Sequence, residues 1–148
     1  MLCINKSSMN KNELTLKEAL GMVEEFHNAF GIANGAGPSN ISPEDIALRF
    51  RLMDEENKEY LDAAKNQDLV EVADALGDML YILLGTILKH GMTDLIPIVF
   101  KEIQASNMSK LGADGKPILR EDGKVLKGPN YFRPNIKAIL EKHHEKTS

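Results

Sequence analysis

The spacing of apolar and polar residues divides the chain into helices separated by short polar segments. Apolar residues recur at the spacing of an amphipathic helix in several stretches. The predicted helices cover residues 15–30, 43–65, 69–90, 93–106 and 134–142. Capping signals support the first two: Thr15 with Glu18 has the pattern of a capping box, and Ser42 precedes Pro43 as an N-cap does. The sequence therefore predicts an all-α protein: a four-helix bundle followed by a short C-terminal helix.

The segments between and around these helices define the expected organisation of the chain. Residues 33–40 are rich in Gly, Pro, Ser and Asn and predict a loop, and residues 112–130 carry Asp-Gly turn signals that predict an ordered loop or small hairpin. We expect a flexible leader (1–14), a single all-α domain (15–142) and a charged tail (143–148). In the third helix the apolar stripe is predicted to comprise Leu69, Val72, Ala73, Leu76, Leu80, Leu83 and Ile87.

Two neighbouring helices each carry a pair of carboxylates three residues apart. Glu56 and Glu59 lie on the second predicted helix, and Glu71 and Asp74 lie on the third, where Asp78 extends the same face. Residues at i and i+3 project from nearly the same side of a helix. Because only 11 residues separate Glu59 from Glu71, the two helices are expected to pack antiparallel, which brings both pairs to one level of the bundle.

The first carboxylate pair stands where a packed helix normally places apolar residues. Leu52, Glu56, Glu59 and Ala63 follow the spacing of a buried seam, and we expect no Lys or Arg on this stripe to compensate the acids. Burying two like charges is unfavourable by several kcal/mol per ion unless a counter-ion is present, on the order of the penalties seen for buried ions. Carboxylate ligands suit Mg²⁺ or Mn²⁺. The pattern therefore predicts a divalent metal site.

Composition and charge narrow the class of partner. The chain has 22 acidic and 18 basic residues, a net charge of −4, which argues against nucleic acid as a partner. Cys3 is the only cysteine, so no intramolecular disulfide is possible and a reducing compartment is expected. No apolar run reaches the length of about 18 residues that a membrane span requires, and we expect a cytoplasmic protein without membrane partners.

The carboxylate pattern resembles that of a known family. Glu56-x-x-Glu59 followed by Glu71-x-x-Asp74, with Glu55 before the first pair, resembles the ExxE…ExxD signature of the all-α nucleoside triphosphate pyrophosphohydrolases. This superfamily includes MazG-like, dimeric dUTPase-like and phosphoribosyl-ATP pyrophosphohydrolase-like proteins. The resemblance covers residues 15–110. It implies Mg²⁺-dependent hydrolysis of a nucleoside triphosphate to the monophosphate and pyrophosphate, a role in cleaning the nucleotide pool, and a homodimer or homotetramer.

The resemblance also implies roles for individual residues. Glu55 is the candidate general base or second-metal ligand, and Asp78 joins the metal ligands or orients them. Asn107 and Lys110 resemble the Asn-x-x-Lys element of the dUTPase-like members. The expected substrate-binding residues are Asn107, Lys110, Lys127, Tyr131 and Arg133, with Phe26, His27 and Phe30 near the base.

Three alternatives remain open from the sequence. A non-catalytic helical interaction module would use the acids as an electrostatic surface. A di-iron bundle requires two Glu-x-x-His pairs inside the bundle: Glu24-x-x-His27 supplies one, Ile87 rather than an acid stands three residues before His90, and His143 and His144 lie in the tail. Glu71 alone is also explained as the capping-box partner of Asp68. The short segment between the carboxylate pairs and the 112–130 loop depart from most MazG-like members. The substrate therefore stays open between dUTP, dCTP, another or damaged nucleotide, and a phosphoribosyl nucleotide.

Overall fold

The computed structural model of the protein describes residues 12–148, which contain five α-helices. The helices are α1 (Leu16–Ala29), α2 (Pro43–Lys65), α3 (Leu69–Lys89), α4 (Ile96–Met108) and α5 (Ile136–Thr147). Within this part of the chain the only β-structure is one antiparallel bridge between Leu119 and Val125, so the all-α prediction is confirmed. None of these five helices is both long and apolar enough to cross a membrane.

The described chain forms two compact units. Helices α1, α2 and α3 belong to a unit that ends at Gly91, and α4, α5 and the segment between them belong to a unit that begins at Met92. Most of the predicted leader, with Cys3, lies in residues 1–11, outside the described residues. The division into a leader, one domain and a tail stays a prediction.

The helix N-termini follow the predicted capping chemistry. The Thr15 hydroxyl accepts a hydrogen bond from the Glu18 N–H, and the Glu18 carboxylate accepts one from the Thr15 N–H at 2.8 Å, which completes the capping box. The Ser42 hydroxyl accepts from the Asp45 N–H at 3.1 Å, with Pro43 in the first turn. These side chains satisfy N–H groups that a helix start leaves without partners, so both boundaries are fixed locally.

Helices α2 and α3 pack antiparallel, and polar contacts at one end of their interface set the register. The Lys89 ammonium lies 3.0 Å from the Asp45 carboxylate. One turn further along α2, Arg49 Nε donates to Thr86 Oγ1 at 3.0 Å and Arg49 Nη2 donates to the Ile82 carbonyl at 2.7 Å. As α2 advances turn by turn, its partners on α3 therefore move back toward the α3 N-terminus.

Helix α1 packs on α3, and the loop after it is fastened to the end of α3. Helix α1 buries Leu20, Val23 and His27. The Gly35 N–H then donates to the Leu88 carbonyl at 3.0 Å. Gly91 adopts a positive φ of 64°, and a Cβ at this position would overlap the carbonyl of Gly37. The loop that follows α1 and the residues that follow α3 therefore pack with their backbones in direct contact.

The apolar stripe predicted for α3 is not the face that the helix buries in the single chain. Leu69 is 79% exposed and Leu80 is 51% exposed, and the buried residues of α3 are Ala75, Leu84, Gly85 and Leu88. Helix α3 is apolar nearly all round, so its periodicity alone did not identify the packed face. The predicted apolar stripe is largely an exposed apolar surface in the single chain.

The second unit differs from prediction mainly at its helix ends. Helix α4 begins at Ile96 rather than at residue 93, because residues 93–95 form a turn. Helix α5 runs from Ile136 through Thr147, so it continues beyond the predicted end at residue 142. The 112–130 segment has the expected hairpin-like form: the Leu126 N–H donates to the Ile118 carbonyl at 2.8 Å.

Candidate functional site

The predicted carboxylates on α2 and α3 interact most strongly around Glu56. The Oε2 atom of Glu56 is buried and has no hydrogen-bond partner among the described residues. Its pKa is raised above the ordinary value of a glutamate, first by desolvation and then by repulsion from neighbouring carboxylates. These neighbours are Glu59, Asp78, Asp74 and Glu55. Acids from both helices thus surround one half-buried acid, as the antiparallel prediction requires.

The expectation that both acids of the first pair are buried is only partly right. Glu56 is half-buried and Ala63 is buried, whereas Glu59 is exposed in the single chain. Glu55, Asp74 and Asp78 are exposed as well. One carboxylate therefore carries the desolvation penalty, and its neighbours form a solvent-facing acidic rim.

Glu71 does not act on Glu56 as the other acids do. It is exposed, and it is not among the groups that raise the pKa of Glu56. The alternative that Glu71 completes a capping box is wrong, because the Asp68 N–H donates to the Ala63 carbonyl at 3.0 Å rather than to the Glu71 side chain. Asp68 does cap α3 by accepting from the Glu71 N–H at 3.2 Å. The Glu71 carboxylate is therefore not used by the cap.

The expectation that no Lys or Arg shares the α2 stripe is wrong. Arg49 lies three residues before Leu52 and seven before Glu56, which is the same heptad stripe. It is nevertheless directed to α3, where it bonds to Thr86 and Ile82, and it forms no ion pair within 4 Å among residues 12–148. Among the described residues, no Lys or Arg is one of the charged groups that shift the pKa of Glu56.

A divalent cation fits the donor set at Glu56. An unpartnered buried carboxylate oxygen among like charges is the arrangement that a hard, oxygen-binding ion such as Mg²⁺ or Mn²⁺ stabilises. In residues 12–148 no three acidic, histidine or cysteine side chains already stand in a metal-binding arrangement. Ligation by Glu59, Asp74 and Asp78 therefore requires these exposed side chains to reorient, and the metal stays a prediction.

A cavity of about 280 Å³ lies between α1, α2 and α3, next to the acidic cluster. Its lining is mostly apolar and includes two aromatic rings and a few charged groups. The lining residues are Val23, Phe26, His27, Ile32, Asp45, Leu48, Arg49, Leu52, Tyr81, Ile82 and Lys89. Of the residues predicted near a base, Phe26 and His27 are in this lining and Phe30 is not. Phe30 packs on the Phe26 ring with a centroid distance of 4.4 Å.

His27 lies in the cavity lining, its predicted role in substrate binding stays a prediction, and Arg49 was missed by the sequence analysis. His27 is 2% exposed, and its Nδ1 lies 2.5 Å from Asn34 Oδ1. Arg49 is 8% exposed and lines the same cavity. Its position on the Glu56 stripe was the signal that could have identified it, because a charged residue on a buried seam requires a partner.

The predicted phosphate-binding residues lie in the second unit, and four of them come together there. Lys110 Nζ donates to Asn107 Oδ1 at 2.8 Å. The Gly128 N–H donates to the Lys110 carbonyl at 2.9 Å, which holds the neighbouring Lys127 near the end of α4. Lys127 Nζ lies 4.7 Å from the centroid of the Tyr131 ring. Arg133 is exposed and makes no ion pair in the described chain.

Comparisons with known proteins place these features in context. The chain is 36% identical over 80 residues to the uncharacterized protein L479 of Acanthamoeba polyphaga mimivirus; the match covers 51% of this chain and spans about a third (31%) of that protein's length. It is also similar to the crystal structure of a proposed NTP pyrophosphohydrolase from Exiguobacterium sp. 255-15. That similarity has 26% identity, a TM-score of 0.48, and coverage of 88% of this chain and 98% of the other. This likeness is too loose to add weight to the assignment.

The family match covers the helices that hold the carboxylates. The model of the phosphoribosyl-ATP pyrophosphohydrolase family matches residues 23–107, which include all of α2 and α3. The matched part therefore contains the ExxE and ExxD pairs. The chain belongs to the phosphoribosyl-ATP pyrophosphohydrolase family.

Proposed function

We propose that this protein hydrolyses nucleoside triphosphates to the monophosphate and pyrophosphate with the help of Mg²⁺, for which Mn²⁺ can substitute. Membership of the family indicates a pyrophosphohydrolase. The observation that supports the metal-dependent reaction most directly is the buried, unpartnered Oε2 of Glu56 among like charges. In a protein with no catalytic need, such an uncompensated cluster would only reduce stability. Nucleotide-pool cleaning is the proposed role.

The chemistry follows from the carboxylates. Glu56 would hold the ion together with Glu59, Asp74, Asp78 and Glu71, after these exposed side chains reorient. When bound, Mg²⁺ neutralises phosphate oxygens and lowers the pKa of a water molecule. Glu55, exposed beside the ligands, accepts the proton of the attacking water. The water oxygen bonds to the α-phosphorus, the bond from that phosphorus to the bridging oxygen breaks, and pyrophosphate leaves.

Cations of the second unit are the proposed phosphate contacts. Lys110 and Lys127 are held near each other at the end of α4, and Arg133 follows in the same segment. Asn107 and Tyr131 are the proposed polar and aromatic contacts to the substrate. A triphosphate carries several negative charges, so it requires protein cations in addition to a metal.

The exposed apolar face of α3 supports the proposal of a homodimer or homotetramer. Leu69 and Val70 are 79% and 76% exposed, and a further apolar cavity is lined by Met53, Met79, Leu80 and Leu83. Monomeric proteins seldom leave large contiguous apolar patches in water. We propose that a second copy of the chain covers this face, which light scattering of the purified protein will test directly.

The decisive experiment is a nucleotide panel with Mg²⁺ or Mn²⁺ in which pyrophosphate and orthophosphate are measured separately. The proposed reaction yields one pyrophosphate per monophosphate and no orthophosphate. Release of orthophosphate alone from every nucleotide would contradict the proposal. A complete lack of turnover with every substrate and both metals would favour the non-catalytic helical module.

A second candidate substrate is favoured by the family match. The matching model is that of phosphoribosyl-ATP pyrophosphohydrolase, so phosphoribosyl-ATP belongs in the same panel. The reaction is chemically the same, because pyrophosphate leaves from a triphosphate chain. A kcat/KM for phosphoribosyl-ATP well above that for every simple nucleoside triphosphate would replace the general substrate class by this one.

A further inference from the structure

The cavity between α1, α2 and α3 has the character of a site for one flat ring. Its volume of about 280 Å³ is just below the 300–1,000 Å³ range of pockets that enclose whole small-molecule ligands. The rings of Phe26 and Tyr81, with a centroid separation of 5.7 Å, and the side chains of Leu48 and Leu52 supply apolar wall. These walls suit an aromatic ring and do not suit a phosphate group, which requires several donors.

Arg49 supplies a buried cationic donor without an ionic partner. Its Nε and Nη2 atoms bond to neutral acceptors, the Thr86 hydroxyl and the Ile82 carbonyl. Burial lowers the pKa of Arg49; Asp45 is the acid that acts to raise it, and it is already engaged by Lys89 at 3.0 Å. Nη1 has no hydrogen bond in the described chain. Arg49 lines the cavity, so this nitrogen is the one that it can offer to a ligand there.

Gly85 fixes the place of the guanidinium. A Cβ at residue 85 would lie 2.6 Å from Arg49 Nη2 and 3.0 Å from His27 Nε2, so the absence of a side chain makes room for both groups. The guanidinium is therefore held against α3 by packing as well as by hydrogen bonds. A donor fixed in this way can select among ligands, because it cannot turn away from an unsuitable one.

The cavity lies one helical turn from the acidic cluster. Leu52 lines the cavity four residues before Glu56 on α2, and Ile82 lines it four residues after Asp78 on α3. Four residues correspond to about 6 Å along a helix. A ring in the cavity would therefore have the carboxylates on one side and Arg49, one turn further away, on the other.

We propose that this cavity binds the nucleobase of the substrate and that Arg49 is a specificity-determining residue, donating to a carbonyl oxygen of the base. The inference rests on the proposed function, because the phosphates of the same nucleotide extend toward the carboxylates. Bases with a carbonyl oxygen are favoured. Adenine is disfavoured, because its amino group stands where hypoxanthine has a carbonyl, and two donors facing each other form no hydrogen bond.

The test compares purine nucleotides that differ at the 6-substituent and in the proton that N1 carries with it, so the Arg49 variant is needed to assign the difference to the carbonyl oxygen. The affinities of dIMP and dAMP are measured by calorimetry without metal, and the turnover of dITP and dATP is measured with Mg²⁺. The protein is expected to bind dIMP about tenfold or more tightly than dAMP, as one base-specific hydrogen-bond pair implies. Arg49→Met is expected to weaken dIMP binding by about the same factor and to leave dAMP binding unchanged.

Two further variants make the test specific. Gly85→Ala keeps the Arg49 charge but displaces its guanidinium, so it should reduce the preference for dIMP in the same direction by a smaller factor. Arg51→Met removes an exposed arginine of the same helix and should leave the preference intact. If thermal melting shows that Arg49→Met is unfolded, Gly85→Ala decides the question.

Equal affinity of the wild-type protein for dIMP and dAMP would overturn the inference, as would an equal loss of both affinities in the folded Arg49→Met or Gly85→Ala variant. Failure of the proposed function gives a different result. In that case no nucleotide yields pyrophosphate, while an Arg49-dependent preference for dIMP in the metal-free binding assay still supports the assignment of the cavity.

Discussion

The two ends of the α2–α3 interface treat charge in opposite ways. At one end Asp45 pairs with Lys89, and the Arg49 guanidinium donates through Nε and Nη2 to two neutral acceptors of α3, so each of these charged groups has a protein partner for at least part of its polar atoms. Two turns along, Glu56 has a buried oxygen with no partner, and the charged groups that shift its pKa are all acids. The helices and the packing register are the same, so the register does not explain the difference. The matched end stabilises the fold, and the unmatched end reduces stability in the absence of a cation.

The largest effect is expected on activity, when a carboxylate of the acidic cluster around Glu56 is neutralised. Glu56→Gln and Asp78→Asn should each lower kcat/KM for the best nucleotide by about 100-fold or more, as the loss of a group that stabilises transition-state charge does. The matched control is Asp54→Asn, because Asp54 lies on the same helix but is paired with the exposed Lys58. Steady-state kinetics with pyrophosphate detection provides the measurement. Full activity of a folded Glu56→Gln protein would mean that this carboxylate does not act in the reaction.

A smaller effect on stability is expected at the matched end. Asp45→Asn leaves Lys89, whose side chain is only 10% exposed, without its anionic partner. The free energy of unfolding should fall by about 1–2 kcal/mol, between the values for surface and buried pairs. Urea unfolding checks this, and Asp54→Asn should cost less than about 0.5 kcal/mol because its pair is exposed. If Asp45→Asn lowers the free energy of unfolding no more than Asp54→Asn does, the partly buried ion pair is no more stabilising than the exposed one.

The smallest effect concerns the pH dependence of the metal-free protein. The pKa of Glu56 is raised in the folded state by desolvation and by the neighbouring acids Glu55, Glu59, Asp74 and Asp78. The folded state therefore holds this proton more tightly than the unfolded state. The resulting stability is fully present below the ordinary glutamate pKa and is lost as the pH rises through the raised value.

The side chain in Glu56→Gln is neutral at every pH in this range, so it avoids the unfavourable buried charge. The variant should therefore melt a few degrees above the wild type at neutral pH in EDTA. The difference should shrink as the pH falls below the ordinary glutamate pKa. Differential scanning calorimetry from pH 4 to pH 8 is the appropriate measurement. A difference that stays constant across this range, or that grows toward low pH, would contradict the cause assigned to the raised pKa.

Local signals in the sequence predicted local structure well. The bonds that Thr15 and Ser42 make are contained within a few residues, so the starts of α1 and α2 were readable before any packing was known. The start of α4 was not, because Leu95 at its N-cap makes no side-chain cap bond. For α3 the length of the helix was predictable but its buried face was not, since apolar residues on several sides leave the periodicity ambiguous.

The candidate site shows the same limit. The i, i+3 spacing predicted that carboxylates from α2 and α3 meet, and Glu56 with Asp74 and Asp78 follows that prediction. Glu59 is exposed, and Glu71 is not among the acids that act on Glu56. Both outcomes depend on how each helix is rotated about its own axis. The spacing of residues along one helix does not determine that rotation. Arg49 was missed for a related reason: its partners lie 33 and 37 residues away on α3.

Gly91 carries a consequence for the natural variation of this chain. Residue 91 needs both a positive φ and the absence of a Cβ, because the carbonyl of Gly37 fills the space. Gly31 has a similar φ of 68° but open surroundings. Asparagine, which tolerates this backbone conformation, is therefore an acceptable evolutionary replacement at position 31, whereas position 91 admits glycine alone for as long as the α1–α2 connection follows its present course.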